Sequence, residues 1–259
     1  SRASSVKKPI VIIGIGEMGG VFARGFLRSG YPVFPVTRKM SLEEVSAELT
    51  DPELVLLAVA EKDLHNSLET LPPAWRDKLV LLQNELLPGD WQQYSYTDPT
   101  IISVWFEKKK GQDVKVLIPS PAYGPHADLL KTALGNIDIP VRVLDDESEL
   151  LFELVRKNVY ILTTNIAGLE TGGTVSELWS QHRDLANDVA REVIQIQEKL
   201  TGGTLEPDRL IAGMLEAFEG DPDHNCMGRS APARLQRALQ LASKYQLTLP
   251  VLAALESLA

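Results

Sequence analysis

A glycine-rich stretch near the start of the chain has the residue types and spacing of a phosphate-binding turn. It reads I-V-I-I-G-I-G-E-M-G-G, and Gly14, Gly16 and Gly19 match G-x-G-x-x-G directly after four apolar residues typical of a buried strand. In such a turn the first glycine permits the tight bend, the second lets the backbone approach a pyrophosphate, and the third lets helix and strand pack closely. The start of the helix that follows, with Glu17 and Met18 just before it, would offer unpaired N–H groups to the phosphates. The pattern predicts a dinucleotide site.

The residues after the second predicted strand indicate which dinucleotide binds. Thr37, Arg38 and Lys39 follow the strand Val33–Val36. An NAD site usually has Asp or Glu at this place, whereas Arg accommodates the 2′-phosphate of NADP. We therefore predict an NADP site that includes these three residues. The alternative is a solvated turn before a helix over Ser41–Thr50.

A second candidate lies at the end of the fourth predicted strand, where the chain reads Gln83-Asn84-Glu85. Side chains at the carboxyl ends of strands in an open α/β sheet face the ligand crevice. The amide of Asn84 can therefore bind a substrate or the cofactor. The alternative is a simple turn, because asparagine is common where strands end.

A third candidate lies on the predicted helix that carries Lys157. At 100° per residue, Ile161 lies about 40° from Lys157, Thr164 about 20° on the other side, and Asn165 about 80° away. A lysine beside a nicotinamide can donate a proton to a carbonyl oxygen as hydride arrives. Thr164 and Asn165 would then position the substrate. The alternative is a lysine that only solvates a helix surface.

The loop Gly220–Gly228 precedes the last long predicted helix and supplies further polar side chains. We expect Asn225 to contact the substrate, and the alternative is an ordinary polar loop. Cys226 has no sequence context of a nucleophile, so we expect it to be buried or incidental.

Composition limits the class of protein. The 259 residues carry a net charge of −9, which argues against a nucleic-acid surface, and no apolar run reaches the length of a membrane span. A single cysteine excludes an internal disulfide framework and fits a reducing compartment, so we expect a cytoplasmic protein, with an organellar stroma or matrix also open. The four histidines show no metal-ligand spacing. Residues 1–8 are polar and basic without an apolar segment after them, so we expect a flexible start and no signal peptide.

The order of predicted elements gives an α/β fold: a Rossmann-type, mostly parallel sheet domain at 1–145, followed by an all-helical domain at 146–259. The cleft between the two is the expected site. The predicted strands are Ile10–Gly14, Val33–Val36, Leu54–Ala58, Leu79–Gln83, Thr100–Trp105, Lys115–Pro119 and Val141–Leu144. The predicted helices of the first domain are Gly19–Ser29, Leu42–Leu49, Lys62–Leu71 and Ala127–Leu134.

With these residues in view, nearly the whole chain resembles the ketopantoate reductase family, which belongs to the 6-phosphogluconate-dehydrogenase-like superfamily. The shared features are the glycine turn followed by Arg38, a strand end similar to V-x-x-A-V-K, a Q-N-G-like element at Asn84, and a helix similar to K-x-x-x-N-x-x-x-N. The resemblance implies an NADPH-dependent reductase of a small, 2-keto acid-like carbonyl substrate. It implies that Lys157 is the general acid and that Asn165 matches the second asparagine of the helix.

The chain also departs from this family. Ile161 stands in place of the first helix asparagine, Glu85 in place of the Q-N-G glycine, and no acid occurs between Asp223 and Glu256 to match the family's substrate-binding glutamate. A non-catalytic NADP-binding protein is therefore the alternative. The 3-hydroxyacid dehydrogenases of the same superfamily fit less well, because their glycine-rich run before the lysine is missing.

We also expect that the helical domain can form a homodimer. Trp179, Leu249 and Val251 are apolar residues that we expect to be exposed there.

Overall fold

The computed structural model describes residues 6–259, and these form two compact units. The first unit ends at Leu150 and the second runs over Leu151–Ala259. The predicted boundary, between residues 145 and 146, lies five residues earlier. Of the predicted flexible start, residues 1–5 lie outside the described residues. Within the remainder, Lys7 donates to the carbonyl of Ser29 at 2.8 Å and Lys8 pairs with Asp51 at 2.7 Å.

The first unit contains a seven-stranded sheet in the order β2-β1-β3-β4-β5-β8-β9. All neighbouring pairs are parallel except β5 and β8, which confirms the predicted mostly parallel, Rossmann-type sheet. Because the chain crosses from β2 over β1 to β3, the order reverses between β1 and β3, which is where open α/β sheets bind ligands. The strands are β1 Ile10–Ile13, β2 Val33–Val36, β3 Leu54–Leu57, β4 Leu79–Leu81, β5 Thr100–Ile102, β6 Phe106–Glu107, β7 Lys115–Val116, β8 Ser120–Tyr123 and β9 Val141–Val143.

Five α-helices accompany this sheet, and the four longest match the predicted helices within a few residues. The apolar side chains of the first and last of these helices form one core with strands that are buried along their whole length, such as β3. The helices are α1 Glu17–Arg28, α2 Leu42–Glu48, α3 Leu64–Thr70, α4 Pro88–Gln92 and α5 Ala127–Gly135, with 3-10 turns at Glu61–Asp63 and Pro73–Lys78.

The region between β5 and β9 differs from the sequence prediction. The predicted strand Lys115–Pro119 is wrong as a member of the main sheet, because its first two residues instead pair with β6 in a separate hairpin. Strand β8 was not predicted at all. It reads Ser-Pro-Ala-Tyr, which lacks β-branched residues and contains a proline that cannot donate to the ladder. Tertiary burial, not local propensity, makes it a strand.

The second unit is helical, as predicted, and its helices end at residues that break a helix. Gly172, Gly173 and Gly202 all have positive φ, and they directly follow the helices that end at Thr171 and Thr201. The helices are α6 Glu147–Thr171, which starts in the first unit, then α7 Val175–Gln181, α8 Arg183–Thr201, α9 Pro207–Gly220, α10 Ala231–Lys244 and α11 Pro250–Ala254, followed by a 3-10 turn at Glu256–Leu258.

An acidic side chain caps the start of α6. Asp146 accepts hydrogen bonds from the Ser148 hydroxyl at 2.6 Å and the Glu149 N–H at 2.9 Å. These bonds hold the pKa of Asp146 below its usual value, with the Ser148 hydroxyl as the main cause. The charged carboxylate therefore satisfies an amide that the helix itself cannot pair.

Helix α6 is tied to its neighbours by buried polar side chains as well as apolar ones. Arg156 donates from Nε to the carbonyl of Gly213 at 2.9 Å, and the two residues pack so closely that a Cβ at Gly213 would lie 2.9 Å from the same nitrogen. Asn158 donates to Gln197 at 3.0 Å. These contacts fix α6 against α9 and α8 in one rotation about its axis.

The prediction that Leu249 is exposed is wrong, because its exposed fraction is 5%. The neighbouring α11 is fastened by Glu192 of α8, whose carboxylate accepts the N–H groups of Val251 at 3.0 Å and Leu252 at 2.8 Å. This cap holds the C-terminal segment against α8. Trp179 and Val251 are half-buried.

Two kinds of feature are absent from residues 6–259. No helix there is both long enough and apolar enough to cross a membrane. In the same residues, no group of three or more His, Cys, Asp and Glu side chains is arranged to hold a metal ion.

The packing of α1 on α5 gives a stability prediction. A Cβ at Gly25 would lie 2.8 Å from the carbonyl oxygen of Ala133, so Gly25→Ala should cost about 1–3 kcal/mol of unfolding free energy. Gly20→Ala on the same helix is the matched control, because nothing lies within 4 Å of its Cβ position; it should be neutral or stabilise by up to about 1 kcal/mol. Urea unfolding followed by circular dichroism measures both. Equal effects would contradict this packing.

Candidate functional site

The glycine turn joins the carboxyl end of β1 to α1, and two of its glycines are required by the fold. Gly14 has φ +96°, and a Cβ there would lie 2.7 Å from the carbonyl oxygen of Ala58. A Cβ at Gly19 would lie 2.6 Å from the carbonyl oxygen of Gly14. By contrast, nothing lies within 4 Å of the Cβ position of Gly16. The turn is therefore tight on its protein side and open at Gly16.

The open side of the turn leads to the N-terminus of α1. Gly16 is its N-cap in extended conformation, and no side chain caps the helix. The first-turn amides, beginning with Glu17 and Met18, are thus not used by a capping side chain, which suits an anion. The Met18 side chain itself packs on the core of the sheet, so only its backbone can serve a ligand. A pocket of about 410 Å³ adjoins this turn.

The ends of β1, β3 and β4 are locked together beside the turn. Ala58 donates from its N–H to the carbonyl of Ile13 at 2.8 Å. Gln83 is 6% exposed and donates to the carbonyls of Leu57 at 2.7 Å and Val59 at 3.2 Å. A buried carboxamide with this bonding is a positioning group, and it holds the loop after β3 against the end of β4.

Asn84 follows Gln83 at the carboxyl end of β4, as predicted from the sequence. Its side chain is half-buried and makes no hydrogen bond to the part of the chain that the structure describes, so its amide can serve a ligand. Glu85 has φ +63°. It therefore keeps the left-handed backbone that glycine adopts freely, while placing a carboxylate at the Q-N-G-like position.

The strand-end cations lie on the same edge of the sheet as the glycine turn. Gly14 donates from its N–H to the carbonyl of Val36, so Thr37, Arg38 and Lys39 start beside the turn. All three are exposed. Arg38 extends into solvent with 90% of its side chain exposed, and its guanidinium lies 3.5 Å from the carboxylate of Asp63.

Asp63 was missed by sequence reasoning. The sequence shows no acid directly after β2, but the loop after β3 reaches the same sheet edge and brings Asp63 to Arg38. Because parallel strands end at one edge, every loop after β1, β2 and β3 could have been searched for charges.

In the helical unit, Lys157 is not a surface lysine. Its exposed fraction is 9%, and it lies on α6 next to Asn158, which is 2% exposed and bonded to Gln197. The structure therefore excludes the alternative of a solvating lysine. Ile161 is also buried, at 8%.

The other two predicted substrate residues of α6 bond to the protein. The Thr164 hydroxyl donates to the carbonyl of Tyr160 at 2.8 Å. Asn165 donates to the carbonyl of Cys226 at 3.3 Å and accepts from the guanidinium of Arg234 at 3.0 Å. Asn165 thus joins α6 to the loop before α10 and to α10 itself.

Asn225 is exposed and forms a β-bridge with Thr174, while Cys226 donates from its N–H to the carbonyl of Gly173 at 3.0 Å. Within the helical unit, the structure thus brings Asn165 and the loop of Asn225 together. Arg234 is a polar residue of this group that sequence reasoning missed, because no local pattern marks it.

Comparisons with solved structures show which fold the chain has. No family model and no curated protein matches the sequence. Among solved structures, a 2-dehydropantoate 2-reductase from Methylococcus capsulatus is similar over 96% of this chain and 95% of its own, with 14% identity and a TM-score of 0.67. A dimeric ketopantoate reductase from Staphylococcus aureus is similar over 96% of both chains, with 15% identity and a TM-score of 0.66. D-mandelate dehydrogenase in complex with NADH is similar over 96% of this chain and 97% of its own, with 15% identity and a TM-score of 0.67.

The chain has the ketopantoate reductase fold. The resemblance first read from the glycine turn and the lysine helix is therefore confirmed at the level of the fold.

Within this ketopantoate reductase fold, Cys226 is a packing residue, as predicted. It is 1% exposed, and a Cβ at Gly168 would lie 2.7 Å from its own Cβ. Burial, with a smaller contribution from the Glu177 charge, raises the pKa of the Cys226 thiol to about 11. The thiol therefore stays protonated at neutral pH and is not a nucleophile.

The buried thiol gives a second prediction. In the folded protein at pH 8, Cys226 should resist a disulfide reagent such as dithionitrobenzoate, because it is both inaccessible and protonated. Denaturation should release one reactive thiol, read as thionitrobenzoate absorbance. Stoichiometric reaction of the folded protein within seconds would contradict the described packing.

Proposed function

We propose that this protein is an NADPH-dependent reductase of a small 2-keto acid. The observation that carries the proposal is Lys157, a lysine that is only 9% exposed on the first helix of the helical unit in a chain with the ketopantoate reductase fold. Lys157 is also the residue to which the family resemblance assigns the general acid.

The NADPH part of the proposal is supported by the edge of the sheet beside the glycine turn. Arg38 and Lys39 supply two exposed cations there, and a guanidinium suits the 2′-phosphate. Asp63 opposes this preference, because its carboxylate lies 3.5 Å from Arg38 and would repel a phosphate. Arg38 has to leave that contact to bind the phosphate, and with 90% of its side chain exposed it can do so.

The reaction assigned to Lys157 is a proton transfer. Bound NADPH supplies the hydride to the carbonyl carbon. The Lys157 ammonium donates a proton to the carbonyl oxygen, so that the keto acid becomes a 2-hydroxy acid. We propose that Asn84, with its unused amide, helps to hold the substrate.

The substrate class is supported by Arg234. Its guanidinium is half-buried and oriented by Asn165, and arginine binds carboxylates in a planar, two-pronged manner. In this proposal Asn165 and Thr164 act by positioning α6 and Arg234, since their own polar atoms bond to the protein. Asn225, which is exposed, remains a predicted substrate contact.

The non-catalytic NADP-binding protein is the second candidate, and one observation favours it. The asparagine that resembles the family's second helix asparagine, Asn165, bonds with both ends of its amide to the protein. Ile161 adds no polar group.

A cytoplasmic location and pairing of two copies through the helical unit stay predictions.

Removing the proposed acid separates the two candidates. Lys157→Met should lower kcat with the best 2-keto acid roughly 10²- to 10⁴-fold, because the proton donor is lost, while the Kd for NADPH stays unchanged. Lys199→Met, an exposed lysine on α8, is the matched control and should leave both unchanged. NADPH oxidation at 340 nm over a panel of 2-keto acids and the corresponding ketones measures turnover. NADPH binding without turnover of any carbonyl would instead support the non-catalytic candidate.

The cofactor preference has its own test. Arg38→Ala should raise the Kd for NADPH roughly 10- to 100-fold and leave the Kd for NADH unchanged, because only NADPH carries the 2′-phosphate. Asp63→Asn should lower the Kd for NADPH, because it removes the opposing carboxylate. Arg28→Ala, at the far end of α1, controls for the loss of a positive charge. Fluorescence titration measures all of these values, and equal Kd values for NADPH and NADH in the unmodified protein would contradict the NADP assignment.

A further inference from the structure

The β6–β7 hairpin lies over the first turn of α1. Phe106 of β6 is buried, and its ring centroid lies 6.0 Å from that of Phe22 on α1. This contact anchors the hairpin on the helix, and Lys108 follows directly after β6. Its Nζ lies 3.3 Å from a carboxylate oxygen of Glu17, the first residue of α1.

Lys108 is held in place more firmly than an ordinary surface lysine. Its side chain is only 18% exposed, and its Nζ also donates to the carbonyl of Lys109 at 2.8 Å. Charges in partly buried positions are screened less by water and salt than exposed charges. Lys108 therefore has a stronger effect on an anion at this turn than the more exposed Lys109 and Lys110 beside it.

The pocket of about 410 Å³ at the glycine turn has Lys108 in its wall. The other charged groups in the wall are Glu17 and Arg24, so cations outnumber carboxylates in a chain whose net charge is −9. Its remaining lining consists of Ile15, Gly16, Gly20 and Val21.

Glu17 places a negative charge in a pocket that is expected to bind a phosphate. A carboxylate in the first turn stabilises a helix N-terminus, but it repels a phosphate that uses the same amides. Its side chain is 46% exposed and can turn away into solvent. The ammonium group that now neutralises it would then remain beside the glycine turn.

We propose that Lys108 is a side-chain ligand of the pyrophosphate. When a dinucleotide binds, the Lys108 ammonium group leaves the Glu17 carboxylate and pairs with a phosphate oxygen. The proposal rests on the dinucleotide binding described under the proposed function. The glycine turn holds the diphosphate from the backbone of α1, and Lys108 holds it from the hairpin. NADPH and NADH share the diphosphate, so Lys108 adds affinity for both without affecting the choice between them. Arg38, by contrast, is proposed to add affinity for NADPH alone, because only NADPH carries the 2′-phosphate.

Titration of both nucleotides into charge variants tests the proposal. Lys108→Met should raise the Kd for NADPH and the Kd for NADH together, roughly 10-fold or more, and leave their ratio unchanged. Lys109→Met removes the same charge from the same hairpin without the contact, and it should change neither Kd. Glu17→Gln should lower both Kd values, because the competing carboxylate is gone and Lys108 is released. Thermal melting of each variant checks that the fold is retained.

The outcomes distinguish a failure of the Lys108 proposal from a failure of the proposed function. If the unmodified protein binds and Lys108→Met behaves like Lys109→Met, Lys108 is not a phosphate ligand and the proposed function stands. A loss confined to NADPH would assign Lys108 to the 2′-phosphate and overturn the proposal. Failure of the unmodified protein to bind either nucleotide would overturn the proposed function and this inference with it.

Discussion

The close approach of the glycine turn to the end of β3 is the constraint on which the nucleotide-binding unit depends. With 2.7 Å between a Gly14 Cβ position and the carbonyl oxygen of Ala58, no side chain fits there. The turn is thereby pressed against the point where the strand order reverses, and α1 starts from a fixed position. Gln83 completes the arrangement by bonding to the carbonyls of Leu57 and Val59 on the same loop. The three strand ends therefore present their loops to one edge of the sheet as a rigid group.

In the helical unit, a comparable role falls to buried polar side chains. An apolar helix surface tolerates small rotations, but hydrogen bonds such as Arg156 to Gly213 and Asn158 to Gln197 do not. Lys157 lies between these two residues in sequence. The hydrogen bonds of its two neighbours therefore fix the side of α6 from which the Lys157 side chain extends. Asn165 does the same two turns later by holding Arg234 and the backbone of Cys226. The polar residues of α6 thus define one orientation of the helix.

Much of this structure could be predicted from the sequence because its signals are local. The glycine spacing, the apolar strands β1 to β4 and the capping acid Asp146 all depend on neighbouring residues. The missed features depend on residues far apart in sequence. Strand β8 exists because β5 and β9 flank it, and α11 is attached to α8 through Glu192, which lies about sixty residues earlier in the chain. Within the candidate site, the same reason hid Asp63, Lys108 and Arg234, whose partners lie 25, 91 and 69 residues away.

The left-handed backbone at Glu85, beside the proposed site, is a conformation that does not require an acidic side chain. Glycine or asparagine would adopt the same φ with little strain, so an exchange there is compatible with the course of the loop backbone. An acidic side chain discourages a negatively charged neighbour, whereas glycine would leave that space empty. Residue 85 is therefore a position where the charge at this turn can vary between sequences without a change in the backbone conformation.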